Sequence, residues 1–246
     1  LENGYNVSIN RRTRSGFAAN VNNGIVYSKS ISNFDYYIIS NNDVLFKRNF
    51  LKYFLTSLQY LSRLNSKIGL IGIQEINLSK KNHFYSYEIE NFSVENFRFV
   101  DEIPGFFMTI TKDLINNIGL FDEDYFMYGE DNDYFYRTRK SGFELIQIDL
   151  PALHLSEGSS SNQKKTSWYV YRNAFLYAQK NLGVFEFMKL FASFINQIYN
   201  PFLKNDSPSS IRIRRNGFLY NNFLLLKSFV WNFKFYLDKK FLRRNG

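Results

Sequence analysis

Residues 35–73 read DYYIISNNDVLFKRNFLKYFLTSLQYLSRLNSKIGLIGI, and the fold follows from how they divide. Asp35 to Ser40 is a short, nearly continuous apolar run, the mark of a buried strand in a parallel sheet. Between residues 47 and 64, Phe50, Leu51, Phe54, Leu55, Leu58, Leu61 and Leu64 recur three and four apart and share one helical face. Lys67 to Ile73 is a second buried strand. Strand, helix and strand at this spacing make a parallel βαβ unit with a right-handed crossover. The first strand ends in Asn41-Asn42-Asp43, and ligands of open α/β sheets sit beyond such strand ends. A carboxylate there suits a hard cation or a phosphate-bearing ligand. A solvated turn with Asn and Asp in their usual positions has an equal claim on local grounds.

Upstream, residues 5–10 alternate weakly as an edge strand would, and residues 11–15 (RRTRS) form a basic turn. Residues 16–25, GFAANVNNGI, mix small residues with amides at a turn-to-helix junction, where a ligand can approach the backbone closely. Without a full glycine fingerprint, ordinary loop capping explains them at least as well. Downstream, positions 79–97 show no stable period. Residues 97–101 and 106–110 read as strands around Pro104-Gly105. Thr111 caps a short helix closed by Gly119.

The chemistry concentrates in residues 119–137, GLFDEDYFMYGEDNDYFYR, where six of the chain's 22 acidic residues lie between Asp122 and Asp133. A helix starts near Glu130 and stops at Gly142, so Glu130, Asp131 and Asp133 occupy its first turn. Helix capping by acidic groups accounts for that placement. Apolar Met127 and Tyr128 with flexible Gly129 directly before them favour proton transfer instead. Residues 143–148 are a strand, after which Pro151 opens a loop carrying His154, one of two histidines. A lone loop histidine is more often a surface residue than a ligand. Helices follow at 168–181 and 184–199, a linker at 201–210, and a basic amphipathic helix at 217–237.

At 45% hydrophobic over 246 residues the chain can bury a sizeable core, and with no cysteine it has no disulfide framework and no thiolate site. No uncharged apolar run reaches the roughly 18 residues of a spanning helix. Charge is uneven: residues 201–246 carry ten Lys and Arg against two Asp, while the first 200 residues are nearly neutral. A basic amphipathic segment of this kind, residues 211–244, lies on anionic lipid or a partner surface. A helix that caps the preceding domain is the simpler alternative.

GFAANVNNG, the strand ending in NND, PGFFMTI, IGLFDEDYFMYGEDNDYFYR, and HLSEGSS followed by YVYRN occur in one order. That order resembles family-2 glycosyltransferases, especially bacterial rhamnosyl- and galactofuranosyltransferases of surface-polysaccharide assembly, from about Arg11 to Asn181. The resemblance implies an α/β GT-A fold lacking its first strands, with residues 1–182 a partial catalytic domain and 183–246 a helical, basic appendage. It implies an inverting, metal-dependent transfer of a hexosyl group from a nucleotide-sugar donor to a hydroxyl of a glycan or lipid-linked glycan. Asp43 and His154 match the metal ligands for Mg²⁺ or Mn²⁺, although Asn41 stands where the family's metal motif begins with Asp; Asn41 and Asn42 would meet the substrate. Asp131 matches the general base and Glu130 an acceptor-orienting partner. Gly105, Phe106 and Met108 match the acceptor side, and Asn22 and Gly24 the donor loop. The family's first strands would precede Leu1, so the fragment alone is expected to be inactive. The implied setting is cytoplasmic, peripheral at the inner face of the plasma membrane. The rival readings are a non-catalytic glycan- or nucleotide-binding relative, and a nucleic-acid binder acting through the basic tail. The near-neutral remainder of the chain speaks against nucleic acid.

Overall fold

The computed structural model describes residues 16–64, 66–77, 92–155, 163–199 and 218–242; the strand expected at 5–10, the basic turn at 11–15 and the linker at 201–210 lie outside them. In chain order the elements are α1 (Phe17–Ile31), β1 (Tyr36–Ser40), β2 (Val44–Leu45), α2 (Phe50–Leu61) and β3 (Ile68–Asn77). They continue with β4 (Phe97–Val100), β5 (Phe107–Thr111), α3 (Lys112–Ile118), α4 (Glu130–Lys140) and β6 (Glu144–His154). Then come α5 (Gln163–Tyr177), one π-helical turn (Ala178–Leu182), α6 (Val184–Tyr199) and α7 (Phe218–Leu242).

The six-stranded mixed sheet runs β1-β5-β3-β6-β2, with β4 also on β6. The expected βαβ unit takes a modified form. β1 and β3 are each antiparallel to β5, which lies between them, so they are parallel without being neighbours. β1 is therefore an edge strand among the described residues rather than a buried parallel one, and Ile38 is 47% exposed. The central parallel pair is β3 with β6. An apolar run of five residues does not distinguish these positions, because pairing is decided by distant segments.

Helices cover both sheet faces. On one, α1, α3 and α4 pack Ala18, Leu114, Tyr134 and Phe135 against Leu70, Met108, Ile110 and Leu145. On the other, α2 packs Phe50, Phe54, Leu58 and Leu61 against Ile71, Ile73, Phe107 and Ile146. Phe107 and Met108 point to opposite faces because strand side chains alternate. Leu51 and Leu55 of the expected α2 face are about half exposed, at 48% and 47%. A third cluster joins α5, α6 and α7 through Tyr171, Phe175, Phe194, Leu224 and Leu225.

Two expectations are corrected. Residues 17–25 are not a loop but the start of α1, so Asn22 and Gly24 sit on a helix. His154 is not in a loop either: β6 continues through Pro151 to His154. Pairing with β3 skips from Ile148 to Pro151 across a bulge, while the amide of Asp149 turns aside to the Asn96 carbonyl at 2.9 Å. A proline lacks a donor, and a bulge is where a sheet accommodates one.

Candidate active site

Strand register builds the first half of the site. Val44 pairs with His154, and the Leu155 amide donates to the Asp43 carbonyl at 3.0 Å, so the start of β2 holds Asp43 against the end of β6. His154 Nε2 lies 3.4 Å from Asp43 Oδ1 and 3.3 Å from Asn41 Nδ2. On its other side, Nδ1 is 2.6 Å from Glu75 Oε1 on β3. The Glu75 carboxylate can only accept, so Nδ1–H donates to it, and Nε2 is the nitrogen turned toward Asp43 and Asn41. A carboxylate behind a histidine fixes the ring and its tautomer and presents the other nitrogen as a ligand. Phe106, 3% exposed, stacks on the imidazole with ring centres 5.1 Å apart. Asn42 is exposed on the same turn.

Sequence reasoning missed Glu75. It is the polar residue interrupting the apolar run of β3 near its carboxyl end, a signal that becomes readable only once β3 and β6 are known to be neighbours. Among the described residues, no three His, Cys, Asp or Glu side chains are grouped as a metal site of their own. Asp43 and His154 nevertheless fit two adjacent positions on a cation. Ligands at about 2.1 Å in octahedral geometry stand roughly 3 Å apart, and Mg²⁺-type sites habitually combine few protein ligands with substrate phosphates.

The second half lies at the start of α4, and the fold sorts its six acids. Lys180 on the π-helical turn binds the carboxylates of both Asp122 and Asp124. Burial alone would raise the Asp124 carboxyl, but the Lys180 hydrogen bond and charge outweigh it and hold it below the usual range. Glu123 accepts from Asn22 Nδ2 at 2.8 Å, and Asp133 is paired with Arg137 at 2.7 Å. Glu130 and Asp131 remain, with no cation paired to either among the described residues. Glu130 is 6% exposed with Oε2 lacking a hydrogen-bond partner, and burial, then the charge of Asp131, pushes its carboxyl up to about 7. Asp131 Oδ1 accepts from the Asn132 amide at 2.8 Å, while Oδ2 lies 3.2 Å from where a Cβ on Gly105 would stand.

The turn into α4 is unusual and is held from outside. Tyr128 has φ 66° and Gly129 φ 92°, two left-handed residues in succession. A non-glycine residue in that region is strained and persists only where its surroundings fix it. Asn173 on α5 supplies this, its Nδ2 donating to the Met127 carbonyl at 2.7 Å and also to that of Tyr128. Arg172, 8% exposed, donates to Asn173 Oδ1 at 2.7 Å and to the Asp124 carbonyl at 3.1 Å.

Gly105 and Phe106 connect the halves: one abuts Asp131, the next stacks on His154. The remaining expected residues lie elsewhere. Met108, 1% exposed, belongs to the core beneath α4 and cannot touch a substrate. Asn22 is committed to structure: Nδ2 donates to the Phe121 carbonyl at 2.9 Å and Oδ1 accepts from the Phe121 amide at 3.0 Å. Gly24 is exposed on α1, with nothing within 4 Å of an added Cβ. At the turn into α4 opens a cavity of about 620 Å³, lined by Glu102, Tyr128, Gly129, Asn132, Asn173 and Tyr177 but not by Asp131, with α6 as its outer wall.

No family model and no curated protein matches the sequence. Among solved structures, the chain is similar to the mannosyltransferase PcManGT from Pyrobaculum calidifontis, solved with GDP-Man and Mn²⁺, at 13% identity and TM-score 0.41, covering 87% of this chain and 53% of that one. It is similar to a mycobacterial protein at 10% identity and TM-score 0.41, covering 65% and 51%. The chain thus spans about half the length of each. Likeness of this order is too distant to carry an argument about function, which rests on the site.

Proposed function

We propose that the chain is the catalytic region of a metal-dependent, inverting glycosyltransferase that moves a hexosyl group from a nucleotide sugar to a glycan hydroxyl. The observation behind this reading is the pairing, through Gly105 and Phe106, of a carboxylate pair that has no cation partner among the described residues with an Asp–His pair backed by a carboxylate. Asp43 and His154 would hold Mg²⁺ or Mn²⁺, with Asn41 and Asn42 beside the bound diphosphate. A cation so held offsets the negative charge that grows on a departing phosphate.

Asp131 takes the proton of the acceptor hydroxyl. As it does, the acceptor oxygen bonds to the anomeric carbon and the bond from that carbon to the diphosphate breaks on the opposite face. Configuration inverts in one step, and the nucleoside diphosphate leaves with the bonding pair. Glu130, neutral over part of the working pH range, donates a hydrogen bond that orients the acceptor. Gly105 leaves room for the acceptor to reach Asp131, and Phe106 fixes the His154 ring. The acceptor is carried on a lipid, and the basic residues 211–244 hold the enzyme peripherally at an anionic membrane.

Release of nucleoside diphosphate from a panel of UDP-, GDP- and dTDP-sugars, with Mn²⁺ and without, tests the reading. Asp131→Asn is expected to lower turnover by about 10² to 10⁴ while leaving Mn²⁺ affinity unchanged. Equal release by both proteins would remove Asp131 from the mechanism.

A further inference from the structure

We infer that the outward faces of α6 and α7 together form a docking surface that lies flat on an anionic bilayer. This deepens the peripheral placement proposed above and rests on it for its purpose. The evidence is that α7 is apolar outward as well as inward, where Leu224 and Leu225 are buried in the core. Along α7, Leu219, Phe223, Leu226, Val230, Phe233 and Leu237 alternate four and three residues apart on one helical face, with exposures from 37% to 82%. Asn221, Ser228 and Asn232, on the protein-facing side, are buried at 2%, 0% and 0%. There Asn221 Oδ1 accepts from the Tyr171 hydroxyl at 3.0 Å, and Asn232 Nδ2 donates to the Arg172 carbonyl at 3.0 Å. A surface helix in water keeps its outward face polar. Bulky apolar groups outward, opposite an inner face that already mixes Leu224 and Leu225 with Asn221, Ser228 and Asn232, suit a helix whose outer medium is itself apolar.

Helix α6 extends the surface. Val184, Phe185, Met188 and Ile195 are 73%, 72%, 51% and 38% exposed. Phe187 and Phe191, on the neighbouring part of the same helix, both pack on Phe229 of α7, which joins the two helices side by side. None of the described helices is long and apolar enough to cross a membrane, so the arrangement fits one that rests at the interface.

Charge selects lipid over a second copy of the chain. Lys227 and Lys234 each follow a stripe residue, Leu226 and Phe233, and so border the apolar face. Residues 201–246 carry a net charge of +8, and two such segments facing one another would repel. Anionic headgroups complement both the border and the tail. The geometry also serves the proposed reaction: Glu186, Lys189 and Leu190 of α6 wall the cavity whose inner rim is Gly129 and Asn132, next to Asp131. A surface that settles α6 on a bilayer brings that cavity to a lipid-borne acceptor.

Flotation of the full chain with vesicles of phosphatidylcholine, alone or mixed with phosphatidylglycerol, tests the inference without requiring turnover. Binding is expected only to the mixed vesicles. Lys234→Gln should weaken it about fivefold. The combined change Leu226→Gln, Val230→Gln and Phe233→Gln should weaken it by at least about tenfold. Because those three side chains already face outward, the circular dichroism melting temperature of the combined variant should match that of the parent. The docking surface is overturned if the parent fails to float, if the combined variant floats as well as the parent, or if sedimentation shows a dimer that the variant loses. Flotation needs no turnover, so loss of the enzymatic reading would leave the surface standing.

Discussion

The two halves of the site are built by different means. Asp43, His154 and Glu75 are placed by strand register, so backbone pairing of β2, β3 and β6 fixes all three. Glu130 and Asp131 sit at a helix start whose strained entry is held by two side chains of α5, a helix that shares its core with α6 and α7. The strand-built half depends on sheet pairing among β2, β3 and β6, without the C-terminal helices. The helix-built half depends on the C-terminal helices, so a disturbance there should reach proton transfer before it reaches metal binding.

The largest expected effect tests the electrostatic side of that contrast. The Glu130 carboxyl is raised to about 7 from 4.5 by burial first and Asp131 second, so ionised Glu130 destabilises the fold. Between those values the native state binds more protons than the unfolded chain, and stability falls as pH rises. Glu130→Gln should therefore stabilise the protein by roughly 3 kcal/mol above neutral pH. It should have little effect below the ordinary carboxylate range, read as thermal melting against pH. A constant difference at all pH values would mean that Glu130 does not titrate in that window.

Next in size, Asn173→Ala leaves the carbonyls of Met127 and Tyr128 without their side-chain donor, at a cost of about 2 kcal/mol. Turnover should fall while Mn²⁺ affinity, measured by calorimetry, stays at the parent value. If metal affinity fell equally, the two halves would not be independently supported. Glu75→Gln should do the reverse, weakening Mn²⁺ binding about tenfold through loss of charge behind His154. An unchanged metal titration would reduce Glu75 to a surface partner.

The smallest effect sharpens the dependence on α7. Lys239, 56% exposed, reaches Asp124 at 3.5 Å and links α7 to the acidic loop. Lys239→Gln should alter stability by less than about 1 kcal/mol, since exposed pairs contribute little. A larger loss, measured by urea denaturation, would show that this contact carries more of the coupling than its exposure suggests.

Local features were well read from sequence. Thr111 caps α3, its hydroxyl accepting from the Leu114 amide at 3.3 Å, and α4 begins at Glu130 as its composition implied. The site residues were legible unevenly. Asp43 and His154 were named and do meet, yet His154 lies on a strand, because Pro151 is accommodated by a bulge rather than ending β6. Asn22 was read as part of a ligand-binding loop, whereas a buried amide with three partners around Phe121 and Glu123 anchors a helix to the acidic loop. The six acids looked alike in the sequence. Lys180, Arg137 and Asn22 distinguish them by neutralising or binding four, and two of those partners are remote in the chain.

By itself the sequence determined α2, α3 with its Thr111 cap, α4, the C-terminal helices and most strands, because propensity, capping and periodicity act over a few residues at a time. Only the tertiary structure decided that β5 lies between β1 and β3, that Glu75 stands behind His154, that Glu130 and Asp131 have no paired cation among the described residues, and that α7 carries an exposed apolar stripe. Each of those depends on contacts between segments tens of residues apart, and the burial and charge balance they create do not exist until the chain has closed on itself.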